Sequence, residues 1–84
     1  MNIYAEIKQE RQNQINKWGI QNHKPIEWLA ILMEEVGEVS REALENHFTS
    51  FYPPNTLNDY RKELIQVAAV CVAMIESLDR NNPL

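Results

Sequence analysis

The sequence lacks the residues from which several common kinds of site are built. Cys71 is the only cysteine, so an intrachain disulfide is excluded and thiolates cannot assemble a metal site. A single thiol fits a reducing compartment, and we therefore expect a cytoplasmic protein. No stretch alternates polar and apolar residues as a strand would, and no internal repeat is present. The sequence predicts one all-α domain over residues 1–84.

Basic residues and long apolar runs are scarce as well. Eight lysines and arginines against twelve acids give a net charge of −4, whereas nucleic-acid binding requires a basic patch. The longest apolar run, residues 64–75 with one glutamine inside it, is too short to span a bilayer. The first apolar residues are interleaved with charges, unlike those of a signal peptide. We expect neither a nucleic-acid partner nor a membrane partner.

Two amphipathic helices are predicted in the first half of the chain. The first covers residues 2–18 and ends at Gly19, a residue that suits the position after a helix. The second runs from about Pro25 to Asn46, with the proline in the first turn, where a missing N–H costs nothing.

A third helix follows a loop over residues 47–55, in which two adjacent prolines forbid helix. It begins at Thr56, with Asp59 completing an approximate capping box, and it frays from Asp79. Residues 64–75 make it apolar nearly all round, so it has to be covered on several sides. Two other helices of one chain can hardly do that. We expect three antiparallel helices completed by a homodimer or homotetramer, with the third helix near the symmetry axis.

Seven residues of the third helix form one apolar face: Leu57, Tyr60, Leu64, Ala68, Cys71, Ile75 and Leu78. Four more residues widen this face far past a normal stripe: Ile65, Val67, Val72 and Met74.

The second helix crowds acidic residues beside its apolar stripe. At roughly 100° per residue, five glutamates fall within an arc of about 100°. They are Glu34, Glu35, Glu38, Glu42 and Glu45. Like charges at i,i+4 cost roughly 0.2–0.5 kcal/mol per pair, and only Arg41 lies nearby. One interpretation is an acidic surface, and the other is a cation site in which the bound ion relieves the repulsion.

The third helix offers a matching set of polar residues. Glu63 opens the apolar run, Gln66 lies inside it, and Asp59 falls within roughly 60° of both. If the second and third helices are antiparallel, Glu35 and Glu38 face Glu63 and Gln66. Inward-facing carboxylates from two helices build metal sites in bundles, and an all-oxygen set suits Mg²⁺ or Mn²⁺. Such an ion would neutralise polyphosphate oxygens and activate a water.

These residues carry a resemblance to a known family. The sequence EEVGE at residues 34–38, followed by ELIQ at 63–66, resembles the E-E-x-x-E…E-x-x-D signature of the all-α nucleoside triphosphate pyrophosphohydrolases. Residues 10–23 and 63–76 are similar to the small, phage-type members of its MazG-like group. The likeness covers about residues 6–80.

The resemblance implies a MazG-like helical fold and Mg²⁺-dependent cleavage of a nucleoside triphosphate between its α and β phosphates. The products would be a monophosphate and pyrophosphate. The implied metal ligands are Glu35, Glu38, Glu63 and Gln66. Glu34 and Glu38 are the implied catalytic residues, with Glu34 holding or activating the water. The implied substrate-binding residues are Lys17, Trp18, Gln21, His23 and Asp59.

Gln66 departs from the family signature, which ends in aspartate. An amide oxygen can coordinate a cation, but its neutrality weakens the field that would hold a second Mg²⁺. Either Asp59, one turn earlier, compensates, or catalysis has been lost and the chain is a nucleotide-binding or regulatory module. A purely structural helical oligomer is the third hypothesis.

Several candidate residues also have a structural explanation. Trp18 can belong to the core, while Lys17 and His23 can simply be solvated. Arg11 and Gln14 interrupt the apolar face of the first helix, so they either lie at its rim or point into a site.

Overall fold

The computed structural model of the chain describes residues 2–48 and 57–82. Within these residues it contains three α-helices packed together and no strand, which confirms the all-α prediction. The helices are α1 (Ile3–Trp18), α2 (Pro25–Phe48) and α3 (Leu57–Asn81). None of them is long and apolar enough to cross a membrane. The predicted loop from residue 49 onwards and the predicted cap Thr56 lie outside the described residues.

Both ends of α1 are formed by local hydrogen bonds that the sequence encodes. The side chain of Asn2 accepts a hydrogen bond from the Ala5 N–H at 2.8 Å, the usual role of an N-cap residue. At the other end, Gly19 has a φ of 75° and donates its N–H to the Ile15 carbonyl at 2.7 Å. This positive φ favours glycine, as predicted, because a Cβ would be strained there.

α2 and α3 are both longer than predicted. α2 includes His47 and Phe48, whose rings pack edge to face with centroids 4.6 Å apart. α3 does not fray from Asp79 but continues to Asn81. The reason is a set of tertiary hydrogen bonds at its carboxyl end.

Two residues fasten this end of α3 to the linker between α1 and α2. Arg80 donates from its guanidinium to the carbonyl of Gln21 and to the side chain of Asn22. Asn81 donates its amide to Asn22 at 3.1 Å and to the carbonyl of Ser77 at 2.8 Å. The sequence alone does not reveal these contacts because the partners lie nearly sixty residues away.

α3 is the central helix and packs against both α1 and α2. Trp28 of α2 lies against Val70 and Ala73 of α3, and these three residues form the buried cluster at the centre of the fold. Farther along α2, Glu35 lies beside Gln66, which precedes Val70 in the chain. The contacts run in opposite directions along the two helices, so α2 and α3 are antiparallel.

The buried side of α3 is a different one from the apolar face that contains Leu57, Leu64 and Ile75. Its buried residues are Ala69, Val70, Ala73 and Ser77. Small side chains at these positions let the neighbouring helices approach closely.

The larger side chains of the predicted face point outward instead. Leu57, Leu64, Ile75 and Leu78 are between 42% and 59% exposed. α3 therefore has two apolar sides, and within the described part of the chain only one of them is covered.

α1 is held to the other helices largely by polar contacts. It has no buried residue, and the tyrosine and tryptophan of its predicted apolar face, Tyr4 and Trp18, are more than half exposed. Arg11, which interrupts that face, pairs with Glu76 of α3 at 2.7 Å, and its side chain is only 13% exposed. Arg11 therefore packs against α3, which agrees with the interpretation that it lies at the rim of the apolar face.

Candidate functional site

A cleft lies between the last turns of α1 and the pair formed by α2 and α3. Its larger part, about 280 Å³, is lined by residues of all three helices and the linker. An adjoining part of about 160 Å³ shares Gln14, Trp18 and Glu35 with the first, so we treat the two as one cleft. The predicted site residues that line it are Lys17, Trp18, Gln21, Glu34, Glu35 and Gln66.

At the α3 side of the cleft, Gln66 lies between two carboxylates. Its amide nitrogen donates to Glu35 Oε2 and to Glu63 Oε2, each at 3.2 Å, in the orientation that satisfies all three groups. With the amide turned over, its oxygen would converge with the same two carboxylate oxygens. Three converging oxygens repel one another unless a cation lies among them. The three side chains therefore fit a hard cation in one amide orientation and remain satisfied without it in the other.

Burial and like charge raise the pKa of Glu35 above its ordinary value. The largest cause is partial burial between the helices, which disfavours the charged form. Repulsion from Glu63, Glu38, Glu34 and Glu10 adds to it, in that order. The carboxylate of Glu35 is therefore the centre of an acidic cluster to which all three helices contribute.

The pKa of Glu63 is raised for the same reasons. Burial is again the largest cause, followed by repulsion from Glu38 and Glu42. Lys62 and Arg41 act in the opposite direction and partly offset that repulsion. Any cation that approached Glu35 and Glu63 would lower both pKa values.

Glu38, which the sequence placed among the metal ligands, is engaged elsewhere. Its carboxylate forms an ion pair with Arg41, one turn along α2. Across the described residues, no three side chains of histidine, cysteine, aspartate or glutamate are grouped closely enough to hold a metal ion. Of the four predicted ligands, the structure brings together Glu35, Glu63 and the amide of Gln66.

Of the two tryptophans, only Trp28 lies in the core. Trp18 does not belong to the core but is 59% exposed, with Lys17 Nζ 4.5 Å from the centre of its ring. Trp28 is 5% exposed and forms the core floor of the cleft. His23 packs edge to face on Trp28 with ring centroids 4.9 Å apart, so its ring supports the floor and does not line the cleft. Asp59 is exposed in the first turn of α3 and does not line the cleft either.

Part of the wall that α1 contributes to the cleft was not predicted from the sequence. Glu10 and Asn13 line the cleft together with Gln14 and Lys17. The signal was present, because positions 10, 13, 14 and 17 have the i, i+3, i+4, i+7 spacing of one helical face. It was hidden because this face is polar, and apolar periodicity reveals only faces that are buried in the core.

No protein-family model, curated protein or solved structure matches this chain. The resemblance of its glutamate motifs to the MazG-like group stays a prediction, and the function is argued from the cleft.

We predict that Glu35→Gln stabilises the fold at neutral pH. Because the pKa of Glu35 is raised above 4.5, the folded protein binds this proton more tightly than the unfolded chain. The stabilisation that the fold gains from the proton on Glu35 is therefore fully present below pH 4.5, and it is lost as the pH rises through the raised pKa. Urea denaturation at a series of pH values should give Glu35→Gln a higher free energy of unfolding than the unsubstituted protein at neutral pH. This difference should vanish in acid.

Glu6→Gln is the contrasting control. The ion pair with Arg61 lowers the pKa of Glu6, so this variant should show no gain at neutral pH but a small loss of stability, and it should match the unsubstituted protein in acid. A gain for Glu35→Gln that is the same at every pH would contradict the electrostatic explanation.

Proposed function

We propose that the protein is a Mg²⁺- or Mn²⁺-dependent nucleoside triphosphate pyrophosphohydrolase of the MazG-like type, acting in the cytoplasm. The observation that carries the proposal is a single cleft lined both by aromatic rings and by carboxylates. Trp18 and Glu35 line both parts of it, Trp28 lines the larger part, and Gln66, which bonds to Glu63, lines the smaller part. A nucleotide combines the two groups that such a cleft would hold, a flat base and an anionic polyphosphate.

The carboxylates beside Gln66 have the chemistry that a hard cation requires. Glu35, Glu63 and the amide oxygen of Gln66 would hold the ion, since Mg²⁺ and Mn²⁺ prefer oxygen ligands. Glu38 would join them on leaving Arg41. When bound, the ion neutralises phosphate oxygens and lowers the pKa of a water. Glu34 lines the cleft next to Glu35 and would orient that water for attack on the α phosphate.

The exposed ring of Trp18 suits a base. More than half of the Trp18 side chain is open to solvent, so one side of its ring can stack on a base. Lys17 lies over that ring and would turn toward the phosphates when a base takes its place. Gln21 lines the same part of the cleft as Trp18, and its amide would make polar contact with the base.

A second candidate function is nucleotide binding without hydrolysis. It is favoured by the neutral Gln66 and by the ion pair that holds Glu38, which together leave Glu35 and Glu63 as the two predicted carboxylate ligands for a metal. A binding or regulatory module would use the same base and phosphate contacts but would not assemble the water-activating centre.

We further propose that the outward face of α3 is covered by a second copy of the chain in a homodimer or homotetramer. Leu64, Ile75 and Leu78 are 42–59% exposed on it, and such contiguous apolar surface is unusual on a monomer. Met33 and Val36 of α2 are exposed as well. A twofold arrangement would bury this face against itself and complete the bundle.

The enzyme hypothesis predicts pyrophosphate release from at least one member of a panel of canonical and modified triphosphates with Mg²⁺ or Mn²⁺. Glu38→Gln should reduce the rate at least about a hundredfold, as expected for a group that binds the metal or activates the water. No turnover above that of Glu38→Gln would contradict hydrolysis. A nucleotide-dependent rise in Tm without turnover would favour the binding module, and no effect of nucleotide or Mg²⁺ on Tm would favour a structural oligomer.

Gln66→Asp is predicted to tighten Mg²⁺ binding about tenfold, because a third carboxylate would join Glu35 and Glu63. The same variant should be less stable without metal, since the bridging amide is lost and a charge is added. Gln66→Asn is the matched control, equal in size to the aspartate and neutral. Calorimetric titration that gives the two variants equal Mg²⁺ affinity would contradict this placement of the ion.

Self-association is predicted to depend on the outward face of α3. Light scattering should give a mass two or four times the 9.9 kDa of one chain, and Ile75→Glu should reduce it to one chain. Tyr4→Glu is the control, because Tyr4 is 83% exposed on α1. A single-chain mass for the unsubstituted protein would overturn the proposal.

A further inference from the structure

A second cleft, of about 350 Å³, lies between α1 and the first turns of α3. On the α3 side it presents Arg61, Lys62 and the amide of Asn58. On the α1 side it presents two carboxylates, Glu6 and Glu10, together with Gln9 and Asn13. We call it the basic cleft after Arg61 and Lys62, two of the eight cationic side chains of this acidic protein, although the two carboxylates of α1 balance their charge.

The basic cleft continues the nucleotide cleft along α1. Glu10 and Asn13 line both the basic cleft and the part of the nucleotide cleft that contains Glu35 and Gln66. Lys62 precedes Gln66 by four residues of α3, a step of about 6 Å along the helix axis. One groove therefore leads from Glu35 and Gln66 past Glu10 to Arg61 and Lys62.

We propose that the basic cleft binds the terminal phosphates of the substrate, with Lys62 and Arg61 as the binding residues. This inference rests on the proposed function and extends it, because it states where the polyphosphate goes beyond the scissile bond. The need is electrostatic. The acidic cluster around Glu35 repels phosphate, so a metal ion neutralises it locally while the phosphates farther from the ion require cationic side chains.

Arg61 is available for this role although it already has a partner. Its guanidinium donates two hydrogen bonds to the carboxylate of Glu6, at 2.8 Å and 2.6 Å. The arginine side chain is 54% exposed, and exposed ion pairs of this kind contribute little to stability. The same planar donor pair fits two oxygens of a phosphate, which carries more charge than a carboxylate. The terminal phosphates can therefore take Arg61 from Glu6.

Inorganic tripolyphosphate tests the basic cleft without requiring turnover. Calorimetry in Mg²⁺ should show binding that Lys62→Gln and Arg61→Gln each weaken about tenfold, the effect of losing one charged hydrogen-bonding partner. Lys8→Gln is the matched control, because it removes the same charge from a different surface of α1 and should bind like the unsubstituted protein. Glu6→Gln should bind severalfold more tightly, since Arg61 is then free.

Nucleotides separate this inference from the proposed hydrolysis. Lys62→Gln should weaken triphosphate binding about tenfold and leave monophosphate binding unchanged, because only the triphosphate reaches the basic cleft. If the unsubstituted protein binds tripolyphosphate through Lys62 but releases no pyrophosphate from nucleotides, hydrolysis fails and the basic cleft stands. If it binds no tripolyphosphate, or if Lys62→Gln and Arg61→Gln both behave like Lys8→Gln, the basic cleft is overturned.

Discussion

The packing of Trp28 against Val70 and Ala73 fixes the register between α2 and α3, and the site depends on that register. Glu35 lies seven residues after Trp28 on α2, and Gln66 lies seven residues before Ala73 on α3. Seven residues advance each helix by about 10.5 Å and nearly two turns. Because the helices are antiparallel, equal steps from the core contact bring Glu35 and Gln66 together. A change in that contact would move the carboxylates apart.

The same register forces acidic groups into a partly buried position, and Gln66 determines how the protein tolerates them. Its amide nitrogen satisfies Glu35 and Glu63 when no cation is present, which an aspartate at this position could not do. With the amide turned over, its oxygen can serve a cation, but it contributes no charge. Glutamine therefore favours a site that is stable when empty over one that binds metal as tightly as possible. This balance bears directly on the choice between the proposed hydrolysis and the alternative proposal of binding alone.

α1 completes the site in a different way, because it contributes polar side chains to the wall of the cleft and no buried residue to the core. Arg11 pairs with Glu76, and Glu6 pairs with Arg61, in each case across the contact with α3. No residue of α1 is fully buried, so its contact with α3 consists of partly exposed side chains, these ion pairs among them. Attachment of this kind suits one wall of a groove whose ligand competes for the same side chains, as we propose for Arg61.

The sequence determined the three helices, the stop at Gly19 and the crowding of glutamates near Glu35, because capping chemistry and helical periodicity are local. It could not decide which side of α3 would be buried, since apolar residues occur all round that helix. Packing chose the side with Ala69 and Ala73, whose small side chains let helices approach closely. Tertiary structure likewise left Trp18 exposed, and it brought Glu10 to the cleft. Those outcomes depend on contacts between residues far apart in the chain, which helical periodicity does not encode.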